Sequence, residues 1–116
     1  MIPGELTFWH NPRCRKSREA LALLQDRGVQ PKVRLYLQDP PSVAELVAVR
    51  DALGVTADEM VRRGEAVFKE RGLGQVSEAD LIDAMAEHPI LIERPILIHA
   101  RRAVIGRPPE RVLELL

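Results

Sequence analysis

The opening of the chain constrains the fold more than any other segment, because it reads as strand, helix and strand in succession. Leu6-Thr7-Phe8-Trp9 is a short β-prone run. After a turn at Asn11-Pro12, the stretch from Arg15 to Arg27 carries Ala20, Leu21, Leu23 and Leu24, a helical stripe closed by Gly28 in the C′ position. Val33, Leu35 and Leu37 then alternate with Arg34 and Tyr36, which predicts a second strand. A helix joining two strands is a crossover connection, so the two strands run parallel.

Beyond Pro40-Pro41 the pattern turns helical. Ser42 with Glu45, Thr56 with Glu59 and Ser77 with Asp80 are three helix starts, each ahead of an apolar run. Residues 42–87 thus predict several short helices, with Gly72 and Gly74 in a break. Strands return at Pro95-Ile96-Leu97-Ile98-His99 and Ala103-Val104-Ile105, close enough to form an antiparallel hairpin. Pro108-Pro109 opens a last helix with Val112, Leu113 and Leu116 on one side. The order β-α-β, helices, β-β-α predicts an α/β fold, a four-stranded mixed sheet in the thioredoxin-like arrangement. The expected organisation of 1–116 is a single domain, its core at about 1–38 and 88–116 and its helical insert at about 42–87.

Composition narrows the function classes. Seventeen basic residues balance seventeen acidic ones, so the chain does not bind nucleic acid or a membrane by bulk charge. Met1-Ile2-Pro3-Gly4-Glu5 has no basic leader region, and no apolar run approaches the roughly 18 residues of a membrane span. A cytoplasmic protein is expected. One cysteine excludes an intramolecular disulfide and a multi-cysteine metal site.

That cysteine, Cys14, sits where the even balance breaks down. His10 to Arg18 reads His-Asn-Pro-Arg-Cys-Arg-Lys-Ser-Arg, with four cations and no acid. The position falls after a strand and before a helix, where unpaired N–H groups and a partial positive charge favour an anion. Both effects, with His10 near in sequence, favour thiolate over thiol. A lone cysteine is most often a small buried hydrophobe, but such residues have apolar neighbours, whereas both neighbours of Cys14 are arginines. The Ser17 hydroxyl, three residues on, can donate to the thiolate or to a bound oxyanion, and any second thiol must come from another molecule. Arg62, Arg94 and Arg107 stand apart from this run. Arg94-Pro95 is the informative one: in a thioredoxin-like sheet the proline opening the third strand is cis and faces the helix-one cysteine, which puts the Arg94 guanidinium beside Cys14.

Taken together, His10-Asn11-Pro12-x-Cys14-x-x-Ser17-Arg18, Leu35-Tyr36-Leu37 with Pro40-Pro41, His88-Pro89-Ile90-Leu91-Ile92-x-Arg94-Pro95-Ile96 and Arg107-Pro108 resemble the glutaredoxin-dependent arsenate reductases over essentially the whole chain. The resemblance implies a thioredoxin-like fold and reduction of arsenate to arsenite, with arsenate or a similar oxyanion as the anion bound. It makes Cys14 the nucleophile, Arg62, Arg94 and Arg107 the arginines that hold the oxyanion, and His10 and Ser17 the thiolate-stabilising residues. Arg63 would replace Arg62 after a one-residue shift. Glutathione is implied as co-substrate and glutaredoxin as partner, with no bound cofactor and no metal. Arg15 and Lys16 stand where those reductases hold small residues, and with Ile105-Gly106-Arg107-Pro108-Pro109-Glu110 they look more like a housekeeping branch of the family. Two other readings keep the fold. One is an oxidoreductase of glutathione or protein mixed disulfides without arsenate activity. The other is a non-enzymatic redox-responsive interaction module, like a relative that regulates RNA polymerase and typically carries Cys-x-x-Cys.

Overall fold

The computed structural model describes residues 5–116, so the first four residues of the N-terminal reading lie outside it. The chain divides into two compact units, Met1–Asp39 with Arg94–Leu116, and Pro40–Glu93.

The first unit holds the sheet. Strand β1 (Leu6–Trp9) leads through helix α1 (Arg15–Asp26) to β2 (Lys32–Arg34), and β3 (Ile96–His99) and β4 (Arg102–Ile105) complete the order β2-β1-β3-β4. β1 and β2 are parallel, as a crossover requires, and the other two pairs are antiparallel. The mixed four-stranded sheet therefore agrees with expectation. Helix α1 ends as expected, with Gly28 at φ +73° just beyond its last turn. One cluster of the core lies on one face of the sheet. Phe8, Leu97 and Val104 occupy one cross-strand row, and Ala20 and Leu24 of α1 pack on it with Val112 and Leu115.

Two expected elements of this unit differ. β2 stops at Arg34, and residues 36–38 form a turn in which Tyr36 is fully buried while Leu37 is 40% exposed. The alternation of Val33, Leu35 and Leu37 therefore does not mark one continuous strand. The last helix is a 3₁₀ helix, Pro109–Leu115, whose buried residues Pro109, Val112 and Leu115 recur every third position. In a three-residue turn side chains at i and i+3 eclipse, so Leu115 faces the core and Leu116 is exposed.

The second unit is helical: α2 (Val43–Leu53), α3 (Ala57–Met60), α4 (Ala66–Glu70) and α5 (Glu78–Glu87), with 3₁₀ turns at Leu73–Gln75 and Pro89–Leu91. Ser42 and Glu45 form the full reciprocal capping box, and Ser77 accepts from the Asp80 N–H. Thr56 does not cap α3. Its place is taken by the Glu78 carboxylate, which accepts the Ala57 N–H at 2.9 Å and pairs with Arg50 at 3.1 Å. Residues 88–93 belong to this unit rather than to the sheet core. Val61 bridges Ile92, the Arg62 N–H donates to the Leu91 carbonyl at 2.7 Å, and the Glu93 N–H donates to that of Met60 at 2.7 Å. Among the described residues no helix is long and apolar enough to cross a membrane.

Candidate active site

Strand register brings the Cys14 loop and Arg94 to one end of the sheet. Trp9, the last residue of β1, pairs with Ile96, the first of β3, so the chain leaving β1 emerges beside Arg94-Pro95. The Arg94-Pro95 peptide is cis, as the sequence leads one to expect, and Arg107-Pro108, which carried no such expectation, is cis as well. Because β3 and β4 are antiparallel, Arg107 returns to the same end, and its guanidinium donates to the Arg94 carbonyl at 3.2 Å. The position just before Arg107 needs a glycine. The Gly106 N–H donates to the Pro95 carbonyl at 2.8 Å, and a Cβ there would stand 2.9 Å from both Pro95 Cγ and Val112 Cγ1.

Cys14 is the N-cap residue of α1, with extended backbone, and is partly buried. The thiol makes no close cap hydrogen bond, but the first amides of the helix act on it. Burial is the largest single influence and pushes its pKa up. The Ser17 N–H, the positive charge of Arg94, the Lys16 N–H and a hydrogen bond from the Arg94 side chain together outweigh it, leaving the thiol below its ordinary value. The charge that acts on the sulfur is that of Arg94. The side chains of Arg13, Arg15, Lys16 and Arg18 are not among the groups that shift it. These four side chains are exposed, where solvent screens their charge, so the cationic run acts on the sulfur less strongly than Arg94 does.

His10 and Ser17 come together with each other. His10 Nδ1 lies 2.6 Å from Ser17 Oγ, and the same oxygen accepts the Asn11 N–H at 3.1 Å. Ser17 is fully buried and His10 is 7% exposed, so the pair pins the loop onto the first turn of α1. Burial, and secondarily the charge of Arg18, hold the His10 pKa below its ordinary value, so the imidazole is neutral at pH 7. What Ser17 presents to Cys14 is its backbone N–H; its hydroxyl is engaged by His10 and Asn11. Asn11 braces the loop a second time, its Oδ1 accepting the Arg13 N–H at 3.0 Å. Composition gave no hint of that brace, although an Asn-Pro turn is a signal for side-chain-to-backbone bonding.

Arg62 lies in the helical unit. Its guanidinium pairs with Glu65 at 3.1 Å and donates to the Ile90 carbonyl at 3.4 Å. Arg63 is engaged elsewhere, in an ion pair with Asp58 and over the Phe68 ring. Among the described residues no group of three or more His, Cys, Asp or Glu is gathered to hold a metal ion.

A mixed sheet whose first strand hands a single cysteine to the start of the first helix, opposite a cis-proline, defines a thioredoxin-like protein with one thiol. Residues 9–115 match the ArsC family, and the chain belongs to it. It is 48% identical over 112 residues to the arsenate reductase of Haemophilus influenzae, covering 94% of this chain and 97% of that one. It is 46% identical to a protein of Escherichia coli strain K12 named "Uncharacterized protein YfgD", covering 96% of each. The solved arsenate reductase from Vibrio cholerae superimposes with a TM-score of 0.94 at 48% identity, over 97% of this chain and 98% of that one.

Proposed function

We propose that the chain reduces arsenate to arsenite, with glutathione and glutaredoxin as electron donors and Cys14 as nucleophile. The observation that carries this reading is the Arg94 guanidinium set against a thiol already lowered by the start of α1. A thiolate supplies the attacking pair at neutral pH, and a planar guanidinium fork suits a tetrahedral oxyanion. In the first step Cys14 Sγ bonds to arsenic, and one arsenate oxygen leaves as water after protonation. Arg94 and Arg107 offset the charge on the remaining oxygens, and family likeness assigns the third place to Arg62. A glutathione thiolate then attacks Cys14 Sγ. The S–As bond breaks with its electron pair on arsenic, which passes from As(V) to As(III) and departs as arsenite. Cys14 is left in a mixed disulfide with glutathione. A glutaredoxin thiolate attacks the glutathione sulfur and returns Cys14 to the thiolate. Within this reading His10 and Ser17 hold the loop so that the helix amides face the sulfur, and the cycle runs in the cytoplasm, where glutathione is kept reduced.

The test is arsenate-dependent NADPH oxidation in the presence of glutathione, glutaredoxin and glutathione reductase. Turnover that requires both arsenate and Cys14 supports the reading. Disulfide exchange at Cys14 with no arsenate turnover would replace it by the mixed-disulfide oxidoreductase.

A further inference from the structure

The four cations around Cys14 are all exposed side chains, and the charge that acts most on its sulfur comes from Arg94 instead. Two of them are committed. Arg15 pairs with Glu19 at 2.9 Å, and Arg18 reaches back to donate to the Pro12 carbonyl at 2.9 Å, bracing the loop. The other two, Arg13 and Lys16, are exposed, and among the described residues their side chains have no ion-pair or hydrogen-bond partner. Each lies within two residues of Cys14, a chain span of at most about 7 Å. No acid lies between His10 and Arg18, so nothing in the loop neutralises them.

The reaction has a step that such charges fit. With one cysteine in the chain, the thiol that resolves the Cys14 adduct must arrive from outside and attack Sγ as its thiolate. We propose that Arg13 and Lys16 select that incoming thiol, favouring a small thiol that carries carboxylates over a neutral one. The proposal rests on Cys14 being the sulfur that is attacked. A carboxylated thiol is drawn by its carboxylates to two exposed cations that no acid in the loop offsets, whereas a neutral thiol gains little from them.

The test omits arsenate, so it succeeds or fails independently of the arsenate reading. Cys14 is converted to its 2-thiopyridyl mixed disulfide, an uncharged group whose release as thiopyridone is followed by absorbance. Release is measured with glutathione and with 2-mercaptoethanol, each corrected for its thiolate fraction, over a series of salt concentrations. The glutathione rate constant in the Arg13→Ala/Lys16→Ala double variant is expected to fall about five- to tenfold at low salt and to lose most of its salt dependence. The 2-mercaptoethanol rate is expected to change by less than about twofold, and so is the glutathione rate in Arg15→Ala, whose charge Glu19 already offsets. Equal losses with both thiols would overturn the proposal, because the cations would then act on Cys14 itself. A wild-type glutathione rate without salt dependence, or a preference confined to a protein thiol, would overturn it as well.

Discussion

Two groups of cations stand near Cys14, and they differ in how they came there. Arg13, Arg15, Lys16 and Arg18 are its neighbours along the chain, yet they are exposed to solvent and act on its pKa less than Arg94 does. Arg94 comes from far along the sequence and is half-buried. It reaches the sulfur because Trp9 pairs with Ile96, and it both bonds to and charges the site. The lesson is electrostatic. A charge counts for what it does inside a low-dielectric boundary, and strand register, more than sequence proximity, decides which charge gets there.

The contrast can be broken most severely at Arg94 itself. Arg94→Ala removes a charge-assisted hydrogen bond worth about 1.5–3 kcal/mol, so arsenate turnover is expected to fall roughly ten- to hundredfold. Exchange with a neutral disulfide should fall by a smaller factor. Equal losses would mean that Arg94 only tunes the thiolate. Gly106→Ala probes the edge that presents both Arg94 and Arg107. Its Cβ would meet Pro95 and Val112, and overpacking of this kind is expected to destabilise the protein by about 1–3 kcal/mol in urea unfolding.

Removing the loop's internal brace should give an effect of comparable or smaller size. Ser17→Ala leaves the Asn11 N–H and the His10 imidazole without their shared oxygen, at a cost of about 1–2 kcal/mol. His10 adds a pH dependence. Its folded pKa is depressed, so as pH falls below the ordinary value of 6.5 the unfolded chain takes up a proton that the folded chain resists. Stability is therefore expected to drop on acidification from pH 7, and His10→Gln should flatten that part of the urea-midpoint profile. An unchanged profile would mean that His10 titrates freely in the folded state.

Much of the frame was legible because its signals are local. The Ser42-Glu45 box, Gly28 behind α1 and the run opening at Ile96 each carry their own physics in a few residues. So did the position of Cys14, since a strand followed by a turn and a helical stripe leaves little choice about what its sulfur meets. Three features needed the folded chain. Val33, Leu35 and Leu37 alternate like a strand, yet the chain turns after Arg34 and buries Tyr36, an outcome fixed by packing rather than by pattern. Thr56 and Glu59 have capping-box spacing, but the Glu78 carboxylate accepts the Ala57 N–H, and an acceptor distant in sequence leaves no mark on the box. The terminal segment has too few residues to show whether its period is 3 or 3.6, so Leu116 read as well as Leu115. At the site, the Ser17 hydroxyl reads as a partner for sulfur, but its bonds to His10 and Asn11 follow from the loop's path.

The central claim is that the helix start and Arg94 make the thiolate, and that the adjacent cations do not. The direct test is the pH dependence of Cys14 alkylation by iodoacetamide in the wild type, in Arg94→Ala and in the Arg13→Ala/Lys16→Ala variant. A wild-type inflection below the ordinary thiol value of about 8.5 is expected, rising towards it in Arg94→Ala and nearly unchanged in the double variant. A wild-type inflection at or above that value, or one that moves with Arg13 and Lys16 but not with Arg94, would contradict it.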